Sequence, residues 1–244
     1  MSINDLQTPY AVPLPQIPTI PIADSDQLFP VRRIYCVGRN YSAHALEMGH
    51  DPTREKPFFF QKNPDNLVVG KDFPYPSLSE DVHFEVELVV ALKAGGRDIA
   101  LKDAPGLIFG YGVGVDFTRR DLQAEAKKQG RPWTAAKAFE HSAPVSDIVP
   151  AERIPSLAQK RIWLEKNGKI EQDSDLDHMI WNVPESICEL SRQFELKAGD
   201  IIFTGTPAGV NSVSVGDLIR CGVEGIANLS FAVVEGVGLE GTGA

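Results

Sequence analysis

The chain has 244 residues, of which 43% are hydrophobic and 23% are charged, so that it can form one large globular domain or one domain with a small appendage. Its formal net charge of −9 argues against nucleic acid as the main partner, because phosphate binding requires a basic surface. The sequence contains neither an apolar run of membrane-spanning length nor a basic, apolar start typical of a signal peptide, and its three cysteines are widely spaced. We therefore expect a cytoplasmic protein without membrane association.

The first 30 residues contain six prolines. Proline fixes its own backbone and disfavours helix in the residue before it, so this segment should be extended. We predict that residues 1–30 form a proline-rich N-terminal arm or a small β subdomain. The main domain is then predicted over residues 31–244.

Apolar runs, turn residues and helix-ending signals predict the elements of the rest of the chain. Strands are predicted at 31–37, 56–62, 83–92, 108–116, 160–166, 169–173, 200–204, 213–220 and 227–234, and helices at 41–48, 118–129 and 184–194. Asn167-Gly168 indicates a two-residue hairpin between two of these strands. Because strands outnumber helices and do not alternate with them, we predict a mixed, β-dominated (α+β) fold.

Two glutamates stand at alternate positions of the apolar segment 83–92. Side chains alternate faces along a strand, so Glu85 and Glu87 should point the same way. Two neighbouring carboxylates near a core repel each other, and a divalent cation that prefers hard oxygen ligands would neutralise them. A solvated edge strand would give the same alternation, and this alternative stays open from the segment alone.

A third carboxylate, Asp116, ends the glycine-rich segment 108–116. Together with Glu85, Glu87 and water, it would complete an octahedral oxygen site for Mg²⁺ or Mn²⁺, with Ca²⁺ as a substitute in a crystal. Asp116 could instead, or in addition, cap the helix predicted from residue 118. Glycines at 110, 112 and 114 would allow another backbone or a ligand to approach closely.

His44 and Glu47 are three residues apart on a predicted helix, so that the carboxylate can hold the imidazole as a general base. The alternative is an ordinary surface pair.

On the next helix, Arg120 and Gln123 have the same spacing and could bind a carboxylate and a keto oxygen. The alternative is that this helix face is solvated.

Lys137 lies between small apolar residues and Phe139, on a segment interpreted as a strand. A partly buried lysine requires an anionic partner, which the three acids could provide; otherwise its charge lies at the surface. Residues 204–210 follow a buried strand and contain glycines and the hydroxyl of Thr206, a pattern typical of either an anion-binding turn or a plain turn.

Together these segments resemble the fumarylacetoacetate hydrolase family, and within it the acylpyruvate hydrolases. The matching motifs are GRNYSAHALE at 38–47, FEVEL at 84–88, GYGVGVDFTRRD at 110–121, KAF at 137–139 and GDIIFTGTP at 199–207. The resemblance implies a β-sandwich roll with short helices, a homodimer, and a catalytic domain over residues 31–244.

The resemblance also implies roles for individual residues. It implies that the three acids bind Mg²⁺ or Mn²⁺, and that His44 and Glu47 activate water on a segment that orders over the substrate. It implies that five further residues contact substrate oxygens or support the site: Arg120, Gln123, Lys137, Thr206 and Lys62. Asn63 stands where the family often has proline. Arg39, Arg54 or Lys62 could bind a distal carboxylate; the alternative is that they are ordinary surface charges.

The implied reaction is hydrolysis of a carbon–carbon bond in a 2,4-dioxo acid, with fumarylpyruvate as the expected substrate and Lys137 and Gln123 stabilising the oxyanion. The same site could serve oxaloacetate decarboxylation or isomerisation of a 2-hydroxyhepta-2,4-diene-1,7-dioate-type compound. A metal-stabilised β-rich interaction protein is the alternative without catalysis.

Overall fold

Strands dominate the structure, which is a computed structural model describing residues 10–42 and 55–236. The strands are β1 (Thr19–Pro21), β2 (Leu28–Pro30), β3 (Arg33–Gly38), β4 (Phe58–Lys62), β5 (Leu67–Val69), β6 (Phe73–Pro74), β7 (Val82–Phe84), β8 (Val86–Leu92), β9 (Ile108–Val115), β10 (Thr118–Arg119), β11 (Ala143–Val145), β12 (Val149–Pro150), β13 (Arg161–Lys166), β14 (Lys169–Asp175), β15 (Asp200–Phe203), β16 (Asn211–Ser212), β17 (Leu218–Val223) and β18 (Ala227–Val234). The α-helices of the described residues are α1 (Arg120–Gln129), α2 (Thr134–Lys137) and α3 (Val183–Gln193). The predicted β-dominated α+β fold is confirmed.

Two large sheets form the centre of the molecule. The eight-stranded sheet has the order β4-β3-β15-β8-β9-β11-β5, with β12 paired to β9, and the five-stranded sheet has the order β14-β13-β17-β18-β6. Apolar side chains of β8 and β9 pack against those of β13, β17 and β18 in one buried cluster. Such face-to-face packing of two sheets around a shared core is the arrangement of a β-sandwich.

Side chains of β8 alternate between two cores. Val86, Leu88 and Val90 belong to the cluster between the two large sheets. Val89 and Ala91 belong to a second cluster on the opposite face of the eight-stranded sheet. Because β8 is buried along its whole length and paired on both sides, the solvated edge strand considered for this segment is wrong.

The N-terminal segment covers part of that second core. Strands β1 and β2 pair as an antiparallel hairpin, and Ile20 and Phe29 from this hairpin are buried in the second cluster. Residues 10–18 have no regular helix or strand and are largely exposed, which agrees with the extended backbone that proline favours. The division of the chain at residue 30 stays a prediction.

Turn chemistry explains where several elements end. Asn167 and Gly168 have φ of 54° and 80°, the left-handed pair that a tight hairpin between β13 and β14 requires. Gly130 ends α1 in the left-handed conformation, with φ of 61°, so the predicted helix end is correct. Among the described residues, no helix is long and apolar enough to cross a membrane.

Three predicted element boundaries need correction. The helix predicted from residue 118 begins at Arg120, because Thr118 and Arg119 pair with β7 instead. The strand predicted over 83–92 is interrupted at Glu85. The strand predicted from residue 213 begins at Leu218, since the Ser214 amide donates a hydrogen bond to the Asp217 carboxylate in a tight turn.

Lys137 lies in a helix and not in a strand. The carbonyl of Trp133 accepts hydrogen bonds from the amides of Ala136 and Lys137, and the alanine-rich sequence favours this helical turn. The helix predicted at 41–48 lies almost entirely outside the described residues, which end at residue 42 and resume at residue 55.

Replacing Gly110 with alanine should destabilise the protein. A Cβ at this position would overlap the carbonyl oxygen of Val149, because β12 pairs there with β9. Overpacking of this kind costs about 1–3 kcal/mol, so the urea midpoint of Gly110→Ala should fall. Gly106→Ala is the matched control, since a Cβ there meets no atom within 4 Å; equal midpoints for the two variants would contradict the prediction.

Candidate metal centre and active site

The antiparallel pairing of β8 with β9 brings the three predicted acids together. Glu87 lies opposite Gly114 in the sheet, and the amide of Asp116 donates a hydrogen bond of 2.8 Å to the carbonyl of Glu85. One oxygen atom from each of the three carboxylates lies within 4.8 Å of the other two, and all three residues are buried. Asp116 follows β9 and does not cap α1, whose N-cap is Arg119.

Basic side chains surround this carboxylate cluster. Lys137 Nζ lies 2.8 Å from Glu85 Oε2 and 2.7 Å from Asp116 Oδ2. Arg120 Nη2 lies 2.6 Å from Glu85 Oε1, and Lys62 Nζ lies 2.8 Å from Asp116 Oδ1. The acids are therefore the anionic partner that the sequence predicts for Lys137.

Burial and neighbouring charges shift the pKa values of three groups in the cluster. Burial, together with the negative charges of Asp116 and Glu85, raises the pKa of Glu87 well above its ordinary value. Burial alone would lower the pKa of Lys137, but the same two carboxylates raise it above its ordinary value. For Lys62 burial dominates, and its pKa is lowered even though Asp116 opposes the shift.

The loop after β15 binds a carboxylate that belongs to the protein itself. The amide of Gly205 donates a hydrogen bond of 2.6 Å to Glu87 Oε2. Gly205 has φ of 94°, and a Cβ there would lie 2.6 Å from the Cβ of Asn40, so glycine is required. The predicted anion-binding turn thus holds a member of the acid cluster, while Thr206 Oγ1 accepts a hydrogen bond of 2.8 Å from Gln172.

The chemistry of these donors fits a divalent cation. Three buried carboxylates offer hard oxygen atoms at mutual distances that one ion can bridge, and Mg²⁺ and Mn²⁺ prefer such ligands. Burial, and after it repulsion from Asp116 and Glu85, raises the pKa of Glu87. A cation among them would relieve that repulsion directly.

A cleft opens beside the acid cluster, between β3, β4, α1 and α2. Its walls combine carboxylates, basic groups and aromatic rings; the lining residues are Val37, Gly38, Arg39, Phe58, Phe60, Glu85, Glu87, Arg120, Gln123, Lys127, Trp133, Lys137 and Thr206. Arg120 Nη1 donates a hydrogen bond of 2.7 Å to Gln123 Oε1. This contact leaves the amide NH₂ of Gln123 as its available donor.

The structure therefore brings together most of the predicted site residues. Lys62 differs, because its side chain is fully buried behind Asp116. There it donates hydrogen bonds to the carbonyls of Phe117 and Lys137 and to Ser142 Oγ, and its substrate contact stays a prediction. His44, Glu47 and Arg54 lie outside the described residues.

Sequence reasoning missed Lys127, which lies on the helix for which a solvated face was the alternative. Its Nζ lies 5.3 Å from the centroid of the Trp133 ring, and both residues line the cleft. Arg120, Gln123 and Lys127 are spaced i, i+3 and i+7, which places them on one helical face. That spacing could have identified Lys127.

A larger cleft of about 690 Å³ lies elsewhere, between the start of β9 and the start of α3. The described residues that line it are mostly apolar and include Asp177 and Glu185 but no lysine, arginine or histidine. An anionic substrate would find no positive charge in that lining. The smaller cleft beside the acids is therefore the better candidate for the active site.

Comparison with known families agrees with this geometry. The family model described as fumarylacetoacetate (FAA) hydrolase, C-terminal, matches residues 33–234. The chain belongs to the fumarylacetoacetate hydrolase family. The match spans both large sheets and all residues of the acid cluster.

The matched regions extend over nearly the whole length of individual relatives. A fumarylpyruvate hydrolase of Ralstonia sp is 44% identical over 184 residues, which are 75% of this chain and 95% of that protein. The mitochondrial oxaloacetate decarboxylase of Dictyostelium discoideum is 38% identical over 206 residues, which are 83% of this chain and 94% of that protein.

A solved relative extends the agreement to three dimensions. The crystal structure of fumarylpyruvate hydrolase from Pseudomonas aeruginosa in complex with Mn²⁺ and pyruvate superposes with a TM-score of 0.90 at 45% identity, covering 93% of this chain and 100% of that chain. The family's β-sandwich roll, predicted from the sequence motifs, is confirmed.

Removing one acid should abolish metal-induced stabilisation. A ligand that binds only the folded state stabilises it by about 2.7 kcal/mol at a concentration 100 times its dissociation constant. We expect Mn²⁺ or Mg²⁺ to raise the melting temperature of the wild-type protein and to leave that of Asp116→Asn unchanged. Asp173→Asn, which removes an exposed partner of Arg161, is the control. An equal Mn²⁺ shift in Asp116→Asn and wild type would disprove the assignment.

Proposed function

We propose that the protein is a Mg²⁺- or Mn²⁺-dependent hydrolase that cleaves the carbon–carbon bond of a 2,4-dioxo acid, with fumarylpyruvate as the expected substrate. The observation that carries the proposal is the buried triad of Glu85, Glu87 and Asp116 beside a cleft lined by basic side chains. Similarity to the fumarylpyruvate hydrolases of Ralstonia and Pseudomonas aeruginosa supports the choice of substrate. The products would be fumarate and pyruvate, with one water consumed.

Glu85, Glu87 and Asp116 would hold the cation. Bound there, a divalent ion would supply Lewis-acid stabilisation of negative charge on the substrate oxygens. The Pseudomonas aeruginosa enzyme was crystallised in complex with Mn²⁺, and the oxygen donors of this chain suit Mg²⁺ equally well.

The protein's own cations would bind and orient the substrate. Arg120 contacts Glu85 and Gln123 and lines the cleft, so its guanidinium is positioned to receive a substrate carboxylate. Gln123, fixed through its oxygen by Arg120, would donate its NH₂ to a keto oxygen. Thr206 lines the same cleft and would contribute a hydroxyl.

Lys137 would stabilise the oxyanion that forms when water attacks. Its ammonium is buried between two carboxylates, which keep it protonated by raising its pKa. A fixed positive charge in a site of low dielectric constant stabilises developing negative charge more strongly than the same charge in water. Lys62 would support this arrangement by holding Asp116 from behind.

His44 and Glu47 would form the base that activates water. Glu47 would hold the imidazole, and His44 would take a proton from the water that attacks the C4 carbonyl. The C3–C4 bond then breaks, its electron pair becomes the enolate of pyruvate, and a proton returned to C3 completes the product. Membership in the family supports these two roles and the homodimer expected for the chain.

Oxaloacetate decarboxylation is the second candidate, favoured by the similarity to the Dictyostelium discoideum enzyme. That reaction also releases a pyruvate enolate, so the acid cluster would serve it without change. It needs no attacking water, and the His44–Glu47 base would then be dispensable.

A panel of substrates tests the proposed function. We expect the Mg²⁺-loaded protein to show a higher kcat/KM for fumarylpyruvate than for oxaloacetate, with fumarate and pyruvate formed in equal amounts. Product identity is measured by chromatography, and chelated enzyme is the control. Faster release of CO₂ from oxaloacetate than cleavage of fumarylpyruvate would favour the decarboxylase.

Loss of the dyad should slow hydrolysis more than it weakens binding. A positioned general base contributes about 10²–10⁴-fold to the rate, so His44→Ala and Glu47→Ala should lower kcat on fumarylpyruvate by about that factor with little change in KM. His178→Ala provides a matched control, because His178 contacts Ser174 at the surface. Normal kcat with a raised KM would show that the pair only binds substrate.

A further inference from the structure

Two basic residues of the cleft are not part of the acid cluster. The three carboxylates are already equalled in number by the cations Lys62, Arg120 and Lys137, which contact Glu85 and Asp116. Arg39 and Lys127 line the same cleft in addition to these. The cleft therefore carries more positive charge than its own acids require.

Aromatic rings hold both of these cations in place. The guanidinium carbon of Arg39 lies 5.4 Å from the centroid of the Phe58 ring, and Lys127 Nζ lies 5.3 Å from that of Trp133. The two rings meet edge to face at 5.5 Å and 84°. A cation above an aromatic face is attracted without being neutralised, so both charges remain available to an anion.

The backbone is adapted to this arrangement. Arg39 has φ of 56°, a left-handed conformation that is unfavourable for a residue with a Cβ. A Cβ on Gly38 would overlap the Phe58 ring, so glycine is required for the ring to lie against β3. Strained backbone of this kind often occurs at functional sites.

The two cations also influence each other and their neighbours. Lys127 lies at the exposed rim of the cleft, where partial burial and the positive charges of Arg120 and Arg39 lower its pKa, although Glu85 opposes the shift. Repulsion from Arg120 and Arg39 contributes to this shift beside burial. An anion placed among these groups would reduce the repulsion.

Charge balance indicates how many carboxylates a ligand should carry. With all three acids ionised, their charges and those of their three basic partners cancel. A divalent cation then adds two positive charges, and Arg39 and Lys127 add two more. A monocarboxylate neutralises only a small part of this excess, and a dicarboxylate neutralises twice as much.

We infer that Arg39 and Lys127 form a subsite for a second carboxylate, which makes dicarboxylic 2-oxo acids the preferred substrates of the site. This inference rests on the proposed function, in which the first carboxylate binds at the metal end. Sequence reasoning considered Arg39, Arg54 and Lys62 for this role, and the inference keeps Arg39 and adds Lys127. Lys62 is buried behind Asp116, and Lys127 borders the cleft.

Binding of two unreactive acids tests the subsite without any turnover. 2-Oxoadipate and 2-oxohexanoate have the same carbon chain and differ in one terminal carboxylate. We expect the Mg²⁺-loaded wild-type protein to bind 2-oxoadipate about tenfold more tightly or better in calorimetric titrations, because a charged group is recognised by paired cations. Lys127→Met and Arg39→Met should each remove most of this preference while leaving the affinity for 2-oxohexanoate within about twofold.

Two further variants separate a specific contact from general electrostatics. Lys128→Met removes the same charge from the adjacent, exposed position of α1 and should leave the preference intact, while Lys127→Arg should retain most of it. The inference is overturned if the wild type does not prefer 2-oxoadipate, if Lys127→Met weakens both ligands equally or neither, or if Lys128→Met has the same effect. The proposed hydrolase fails separately, if neither fumarylpyruvate nor acetylpyruvate is cleaved.

Discussion

Neutralisation of three buried carboxylates is the constraint on which the site depends. Moving an ion from water into a protein interior costs several kcal/mol unless partners compensate for the lost solvation. Here Lys62, Arg120 and Lys137 contact two of the acids, and the amide of Gly205 contacts the third. Each compensating group comes from a different part of the chain, so the whole fold must form before the cluster becomes favourable.

The register of strand pairing determines where the three acids lie relative to one another. The glycines at 110, 112 and 114 allow β12 and neighbouring side chains to approach β9 closely, and β9 in turn fixes Asp116 beside Glu85. A shift of one residue would move every side chain of β8 to the opposite face. Glu87 would then enter the core between the two large sheets, where Val86 and Leu88 now pack.

The sequence predicted the acids well because their positions follow from local rules. Alternation along a strand places Glu85 and Glu87 together, and the predicted partnership of Lys137 with the acids follows from the cost of burying an unpaired charge. The helical assignment of Lys137, the burial of Lys62 and the position of Lys127 over Trp133 depend instead on contacts between distant segments. No local pattern specifies those contacts, although helical spacing from Arg120 could have identified Lys127.

The same charge balance implies that cation and substrate bind cooperatively. The acids and the three basic groups around them leave the cluster close to neutral, so a divalent cation would add to the positive charge of Arg39 and Lys127 that attracts an anionic ligand. The ligand, in turn, lowers the cost of placing that cation beside Lys137 and Arg120, whose ammonium and guanidinium groups already contact the same carboxylates. Because coupling between two binding events is reciprocal, any residue that tightens dicarboxylate binding, Lys127 included, should also tighten binding of the metal through their shared electrostatic field.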